Sequence, residues 1–464
     1  MHVENTPVGD MSLLMSGSAP YSLIVGLGTT GWSCARFLAA HDTNFKVVDS
    51  RDITPFSGQL RERFPAVQCA LGGFDDALFE QAEEIIVSPG LSLAIPQIAK
   101  AREMGKSVIG DVELFARYVR APVAAITGSN GKSTVTTLLG EMARNSGVNV
   151  AVGGNLGTPV LDLLATDASL YVIELSSFQL ELTSSLIAET AVVLNVSADH
   201  LDRHGTLENY AAIKNRIYHR CRRPVINNDF VVSAGVLSPT LSDSMLSNSI
   251  TYAVSEPVFD ADFGVRDIRG EPHLVRGKDV LLAVADMGLQ GTHNISNALA
   301  ALALGTALNL PLPAMIATLR QFKGLPHRCE LVAQYQDITF VDDSKGTNVG
   351  ATVAAIGSIE TPLVLIAGGD AKGADLSPLR DAVRNKVRAV ILIGRAAAEL
   401  EKLLAGVVET VHASDMRSAV HKAFVYSEAG DTVLLSPACS SLDMFTNYQA
   451  RGRAFVEAVR ELSK

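Results

Sequence analysis

Three α/β domains are predicted for this chain, and three observations predict them. Short apolar runs alternate with helical patterns along nearly its whole length. Each run stops at a Gly-rich or polar stretch, the place where open α/β sheets hold ligands. A length of 464 residues exceeds what one core organises, at roughly 150 residues per domain. The expected division is 1–110, 111–323 and 324–464, with a frayed tail over 1–20.

Composition narrows the function. With 47% hydrophobic and 19% charged residues, the chain buries full cores and lacks a disorder-prone bias. A net charge of −10 argues against nucleic acid or an acidic membrane as the main partner, so a polyanionic ligand must meet local basic groups. The five cysteines (Cys34, Cys69, Cys221, Cys329, Cys439) are scattered, with no Cys-x-x-Cys pair. That pattern suits a reducing cytoplasm. No apolar run reaches membrane-spanning length, and no insertion is expected. The first twenty residues carry no lysine or arginine, unlike a secretory signal.

In the first domain, 21–25 reads as a strand, Gly26-Leu-Gly-Thr-Thr-Gly31 as a tight turn and 32–40 as a helix. The next strand, 45–48, ends in Asp49-Ser50-Arg51. This is the full dinucleotide fingerprint, with an acid 18 residues after the last glycine, where a ribose partner belongs. On these residues alone an NAD-dependent oxidoreductase is one reading. Against it, the following strand ends in Ile85-Ile-Val-Ser-Pro-Gly90, and no hydride-transfer site is evident downstream. A Rossmann-like nucleotide site of unspecified kind is the expectation. A turn without a ligand is the plainer alternative.

The second domain opens on Ala125-Ile-Thr-Gly-Ser-Asn-Gly-Lys-Ser-Thr134, between an apolar strand pattern and a helical one. Backbone N–H groups of such a turn point at anionic oxygens, Lys132 adds a charge, and Ser133 or Thr134 offers a hydroxyl to phosphate-bound magnesium. The general P-loop pattern places glycine where this chain has Ile126. Further strands at 149–152, 170–173 and 191–194 end in Gly153-Gly-Asn-Leu-Gly157, in Glu174-Leu-Ser-Ser-Phe-Gln179 and in Asn195-Val-Ser-Ala-Asp-His-Leu-Asp202. Glu174 at a strand end suits a magnesium ligand, and His200 could join a second ion. Each read singly is more simply structural. Lys214 interrupts the apolar face of a helix expected over 207–221, and on periodicity alone it snorkels to solvent. The stretch 225–290 suggests a small accessory β-sheet. A long Ala/Leu-rich helix then opens near Asn294–Asn297, with Asn294 or Ser296 as its cap. The domain is expected to be a P-loop-type ATPase fold with a mainly parallel sheet.

In the third domain, Gly324-Leu-Pro-His-Arg-Cys-Glu330 breaks the helical pattern as a linker. Strands at 339–341, 363–366 and 433–435 end in Asp342-Asp-Ser-Lys-Gly-Thr-Asn348, Gly368-Gly-Asp-Ala-Lys-Gly373 and Ser436-Pro-Ala-Cys-Ser-Ser-Leu-Asp443. A second Rossmann-like domain is expected. Cys439 has no histidine partner in this segment, so a nucleophilic role is not expected.

Six motifs in order now carry a resemblance: Thr127-Gly-Ser-Asn-Gly-Lys-Ser-Thr134, Glu174 to Gln179, Asn195 to Asp202, His293-Asn294 with Asn297, Leu325-Pro-His-Arg328, and Asp342 to Asn348. From about Ser22 onward the chain resembles the Mur ligase family, the ATP-dependent amino-acid ligases that build the peptide of bacterial peptidoglycan. That family's phosphate loop also lacks the first P-loop glycine. The resemblance implies that the fingerprint holds the UDP end of UDP-N-acetylmuramoyl-L-alanine rather than NAD, near Thr29, Thr30, Asp49, Ser50 and Arg51. Asn155, Ser176, Gln179 and Tyr210 would lie along the muramoyl-alanine arm.

For ATP it implies Gly128, Ser129, Asn130, Gly131, Lys132, Ser133 and Thr134, completed by Asn294, Asn297, Arg328 and Asp343. Two magnesium ions are implied, with Ser133 and Glu174 on one, His200 on the second, and Lys214 serving as a carbamylated ligand. Lys132, His200, Lys214 and Lys345 form the implied catalytic set, with Lys345 serving either phosphate transfer or the amino acid. Thr347, Lys372, Ser441, Leu442 and Tyr448 would bind D-glutamate. The chain lacks the Asp-Asn-Pro-Arg motif of members adding a dibasic residue and the His-His-Pro of the alanine-adding member. Folate-polyglutamating ligases share a similar phosphate loop but have no need of Asp49-Ser50-Arg51, and they stand as the alternative. The implied enzyme is a cytoplasmic monomer whose C-terminal domain closes over the site, hinged near 323–328.

Overall fold

The computed structural model describes residues 19–229, 247–289 and 291–462. The tail expected over 1–20 therefore lies, up to residue 18, outside the described residues. The chain divides into two compact units, 1–118 and 119–464.

The first unit is a five-stranded parallel sheet. In chain order its strands are β1 (Ser22–Val25), β2 (Phe45–Asp49), β3 (Cys69–Leu71), β4 (Glu84–Val87) and β5 (Ser107–Ile109), and in space they run β3-β2-β1-β4-β5. The order reverses direction beside β1, the switch point at which such sheets bind nucleotides. Leu23, Ile24, Val47, Val48, Ile85 and Ile86 are buried on both faces, as parallel strands covered by helices must be. The helix Thr29–Ala40 starts directly after the Gly-rich turn with no side-chain cap, leaving its first N–H groups open. Gly31 lies against the carbonyl of Gly26, so closely that a Cβ there would overlap that oxygen.

The second unit contains two sheets. The middle sheet comprises β6 (Val123–Thr127), β7 (Val150–Gly154), β8 (Leu170–Glu174), β9 (Thr190–Val193), β10 (Arg223–Asn227), β11 (Ile250–Tyr252), β12 (Phe263–Ile268), β13 (Glu271–Arg276) and β14 (Asp279–Ala283), in the order β14-β13-β12-β11-β10-β9-β6-β8-β7. The strands from β7 through β12 pair in parallel, and β12-β13-β14 is an antiparallel meander. The β-rich stretch expected as a separate accessory sheet is thus the edge of the main one. Its antiparallel turns need no crossover helix, which is why it reads differently in the sequence. The helices Lys132–Asn145 and Thr292–Ala307 share one face of this sheet, burying Val135, Leu138, Leu139 and Met142 with Leu299 and Leu302.

Two local expectations fail for physical reasons. The helix expected over 207–221 stops as Leu207–Asn215, followed by a single 3-10 turn, Arg216–Tyr218. There the Tyr218 hydroxyl accepts from Val193 N at 2.8 Å and donates to Val225 O at 2.9 Å, drawing the chain toward the sheet. Neither Asn294 nor Ser296 caps the long helix. It begins at Thr292 after Gly291, and both residues lie inside it.

The C-terminal sheet comprises β15 (Glu330–Tyr335), β16 (Ile338–Asp342), β17 (Leu363–Gly368), β18 (Val387–Ile393), β19 (Glu409–His412) and β20 (Thr432–Leu435), in the order β15-β16-β20-β17-β18-β19. Only β15 is antiparallel. The three expected strands, β16, β17 and β20, lie side by side at its centre, so their C-terminal loops converge.

The substitution Gly31→Ala tests the close approach in the first unit. Alanine is ordinarily the better helix former by about 1 kcal/mol. Here overlap with Gly26 should reverse the sign and cost roughly 1–3 kcal/mol in urea unfolding of the full chain. A variant at least as stable as the parent contradicts the reading.

Candidate active site

The phosphate loop follows from local geometry. Ile126 is fully buried inside β6, in register with Glu174 on β8 and Val192 on β9, so this position belongs to the strand and needs no glycine. Gly131 has φ +82°, and a Cβ there would strike Asn297 Oδ1. No side chain caps the helix beginning at Lys132, so its N-terminal N–H groups face outward for an anion. The loop after β9 braces the turn. Ser129 N donates to Asn195 O at 2.9 Å, Asn130 N to Asn195 Oδ1 at 2.9 Å, and Ser197 N to Ser129 Oγ at 3.0 Å. Lys132 curls over the turn, donating to Gly128 O at 2.8 Å and Ser129 O at 2.9 Å.

Around this loop lies a group of buried charges. Glu174, only 2% exposed, accepts from Asn155 Nδ2 at 2.6 Å through Oε1. Its Oε2 is buried without a hydrogen-bond partner. Burial pushes the carboxyl up, but the charge of Lys132, foremost among several stabilising groups, leaves it below its ordinary value. Arg328 reaches in from the linker, donating to Ser133 Oγ at 2.6 Å. Burial, with Arg328 and Lys132 nearby, lowers Lys345 to about 8, and its ammonium rests 4.3 Å from the Tyr448 ring centre. Burial likewise lowers Lys132.

Lys214 does not snorkel. It is 1% exposed, donates to Gly128 O at 2.9 Å and lies 4.5 Å from the Tyr210 ring centre. Burial first, and Lys132 second, drive its pKa well below that of an ordinary lysine. Behind it, Phe178, His204 and Tyr210 stack in sequence, and His204 Nε2 lies 3.0 Å from Ser177 Oγ. His200 sits at the edge in a left-handed conformation, φ +54°, with Nε2 3.7 Å from Asp199 Oδ2. Burial lowers its pKa, against the charge of Asp199.

These groups line three adjoining cavities. One of 280 Å³ holds Lys132, Ser133, Asn155, Glu174, Ser176, His200, Tyr210 and Lys214. A second, of 550 Å³, adds Thr134, Asn294, Asn297 and Asp343, and shares Asn130, Gly131, Arg328 and Lys345 with the first. A third, of 480 Å³, is lined by Lys372, Ser441, Leu442 and Tyr448, and shares Asp199, His200, Thr347 and Asn348 with the first. Gln179 is buried and forms a reciprocal capping box with Ser176. Of the implied ATP residues, Asn294, Asn297 and Asp343 thus line the second cavity, and the implied D-glutamate residues Lys372, Ser441, Leu442 and Tyr448 the third.

In the N-terminal unit, Thr29, Ser50 and Arg51 are exposed and Thr30 is half-buried at the fingerprint end of the sheet. Asp49 is not free for a ribose. It accepts from Leu27 N at 2.7 Å and from Arg51 N, Nε and Nη2 at 2.9, 2.9 and 2.7 Å. Burial would raise its carboxyl, but these donors hold it at about 2. Its role in this structure is to fix the turn.

Two residues escaped the sequence reading. Arg451, 1% exposed, donates to Ser344 O, Ser344 Oγ and Cys439 O, holding together the loops after β16 and β20. Like Lys214, it interrupts an apolar helical stripe with Phe455, Ala458 and Val459, and that interruption was its available signal. Asn348 caps the helix Val349–Ser358, and its place directly before that apolar helix was readable as a cap.

A phosphate loop whose cavity adjoins two larger ones, of 550 and 480 Å³, defines a nucleotide-dependent enzyme with room for a second substrate. Family models sharpen this. Residues 21–110 match the Mur ligase MurD-like N-terminal domain, 126–305 the Mur ligase middle domain and 327–439 the Mur ligase glutamate ligase domain. The chain is 49% identical over 447 residues to a UDP-N-acetylmuramoylalanine–D-glutamate ligase of Nitrosococcus oceani, covering 96% of this chain and 97% of that one. It is 47% identical over 457 residues to the enzyme of the same name from Pseudomonas syringae pv. syringae, covering 98% and 100%. Among solved structures it is similar in fold to a pseudomurein peptide ligase type C from Methanothermus fervidus (TM-score 0.60, 18% identity, 95% and 100% covered). It is also similar to UDP-N-acetylmuramate-alanine ligase from Thermotoga maritima (TM-score 0.60, 16% identity, 96% and 100% covered). The chain belongs to the Mur ligase family, and is an ATP-dependent, amide-bond-forming ligase.

Asp343 provides a pH test of the site's burial. Burial raises its carboxyl to about 7, although Ser436 Oγ donates to it at 2.7 Å. Between an ordinary carboxylate pKa of about 4 and that value the folded chain binds more protons than the unfolded one, so this group's contribution to stability falls as pH rises. The substitution Asp343→Asn should be more stable than the parent at pH 8, with the difference closing toward pH 4. Parallel melting-temperature profiles across that range would overturn the assignment.

Proposed function

We propose that this ligase transfers D-glutamate to UDP-N-acetylmuramoyl-L-alanine, through an acyl phosphate, with ATP giving ADP and phosphate. One observation carries the reading: the phosphate-loop cavity shares Asn130, Gly131, Arg328 and Lys345 with the 550 Å³ cavity, and Asp199, His200, Thr347 and Asn348 with the 480 Å³ one. The named relatives, nearly half identical along almost the whole chain, support the two substrates. Thr29, Thr30, Ser50 and Arg51 bind the UDP end in the N-terminal domain, with Asp49 holding their loop. Asn155, Ser176 and Tyr210 face the muramoyl-alanine arm from the 280 Å³ cavity, and Gln179 holds Ser176 in place. The three domains divide near residues 110 and 323. The reading places the enzyme in the cytoplasm as a monomer, and all five cysteines are free, as a reducing compartment requires.

The residues account for the chemistry. A carboxylate is a poor acyl donor, so ATP first phosphorylates the L-alanine carboxylate. Burial lowers Lys132 and Lys345, with the charge of Arg328 adding to it in both, and a polyphosphate held there would offset that cost. Lys132 and the N–H groups of residues 129–133 orient the phosphoryl oxygens. Asn294, Asn297 and Asp343 line the nucleotide end. The buried, unpartnered Glu174 Oε2 beside the Ser133 hydroxyl is a hard-oxygen pair that fits magnesium, and His200 stands at the far edge for a second ion. An ion held by these residues would neutralise charge on the transferring phosphoryl group. Lys214, buried with a strongly lowered pKa, presents an amine that would add carbon dioxide and release a proton, and the resulting carbamate would be an anionic ligand. Thr347, Lys372, Ser441, Leu442 and Tyr448 hold D-glutamate, whose amine enters across the wall formed by Asp199, His200, Thr347 and Asn348. Closure near 323–328 excludes the water that would hydrolyse the acyl phosphate.

Phosphate release from ATP should require UDP-N-acetylmuramoyl-L-alanine and D-glutamate together. An assay across D- and L-amino acids showing no preference for D-glutamate would overturn the assignment. The substitution Lys214→Ala should lose activity, and short-chain carboxylates should restore part of it. Full activity without rescue would return Lys214 to a structural role.

A further inference from the structure

We propose that Asn348 is a positioning residue that ties the amino-acid cavity to the phosphate loop, so that the two close as one unit. The inference deepens the proposed function and rests on it for the identity of the amino acid.

The side chain makes three contacts that no other described residue combines. Its Oδ1 accepts from Ala351 N at 2.9 Å, capping the helix Val349–Ser358. Its Nδ2 donates to Asn130 Oδ1, in the phosphate loop, at 3.2 Å. The same nitrogen donates to Asp199 Oδ2, in the loop after β9, at 3.2 Å. The capping bond fixes the amide orientation, because an N–H can be met only by the carbonyl oxygen. The nitrogen must then face the middle domain, and a carboxylate there makes the bond charge-assisted.

The surroundings favour the same role. Asn348 is 8% exposed and lies in the wall shared by the phosphate cavity and the amino-acid cavity. Its neighbour Thr347 lies in the same wall. Two residues on, Gly350 packs so close that a Cβ would meet Ser197 Oγ at 3.1 Å, so the helix start presses directly on the loop that braces Ser129. Whatever the amino acid does to the Thr347–Asn348 turn is therefore felt at Asn130, and nucleotide at Asn130 is felt in the amino-acid cavity. This is a coupling between two substrate sites through one side chain. It also seals the wall across which the amine must reach the acyl phosphate.

Removing the side chain would remove the helix cap as well, so the test keeps the cap. Asn348→Asp retains an acceptor for Ala351 N but sets a carboxylate against Asp199. Asp199→Asn alone keeps an acceptor for Asn348. The double variant Asn348→Asp with Asp199→Asn restores one donor and one acceptor with the direction reversed. The expected result is a KM for D-glutamate raised roughly tenfold or more in Asn348→Asp, the effect of losing one charge-assisted hydrogen bond. The KM for ATP should change less, and ATP consumption should exceed product formation. Asp199→Asn should be milder, and the double variant should recover most of the lost KM.

Small-angle scattering of the ADP-bound proteins should show a larger radius of gyration for Asn348→Asp and a parental one for the double variant. A parental KM and radius in Asn348→Asp, or a double variant no better than the single one, would overturn the proposal. If the parent failed to use D-glutamate at all, the functional assignment would fall, while the scattering series would still decide whether Asn348 joins the two loops.

Discussion

The carbonyl oxygen of Gly128 receives hydrogen bonds from two lysines, half-buried Lys132 and buried Lys214, and the rest of the site depends on that crowding. Two lysine nitrogens on one peptide oxygen, with Arg328 and Lys345 in the same cavity, leave Glu174 as the main buried counter-charge. Holding several cations together away from water costs free energy that a polyanionic ligand would offset. Burial first, and neighbouring cations after it, lowers the pKa values of Lys132, Lys214 and Lys345. The folded core supports the strain. β6 is buried along its whole length, and the helix Lys132–Asn145 is anchored by Leu138, Leu139 and Met142.

Around that centre the fold repeats one device. Each sheet ends its central parallel strands in polar loops, and the loops of the middle and C-terminal sheets meet at the phosphate loop through Arg328 and Asn348. Buried cations serve different purposes on the two sides. Lys214 stands in the cavity, where a modified amine could hold a metal. Arg451 satisfies carbonyls of two loops and lines none of the three cavities, bracing the loops after β16 and β20. Both interrupt an apolar helical face, so burial of a cation alone does not separate catalytic from structural use. What separates them is whether the charged end faces a cavity or is already fully bonded.

The phosphate loop, the fingerprint turn and the central strands were legible because each rests on local constraints: a buried apolar run, a glycine with no room for a Cβ, and a helix start left open for an anion. The edges were less legible. The meander β12-β13-β14 carries the period of an independent hairpin, and nothing local reveals that β11 splices it onto the main sheet. Asp49 shows the same limit at one residue. Its spacing from Gly31 marks a ribose acid, yet only the fold shows both carboxylate oxygens taken by Leu27 and Arg51.

By itself the sequence determined the α/β class, three successive nucleotide-type folds and the residue types of the chemistry, since these depend on periodicity and on motifs a few residues long. Tertiary structure decided what lies beside what. It buried Lys214 instead of letting it reach solvent, placed Asn294 and Asn297 inside a helix facing Gly131, and drew Asn348 across to Asn130 and Asp199. Those contacts join residues as many as 218 positions apart. No local pattern encodes such a pairing, because it is set by how whole sheets and helices pack, and packing is a property of the assembled core.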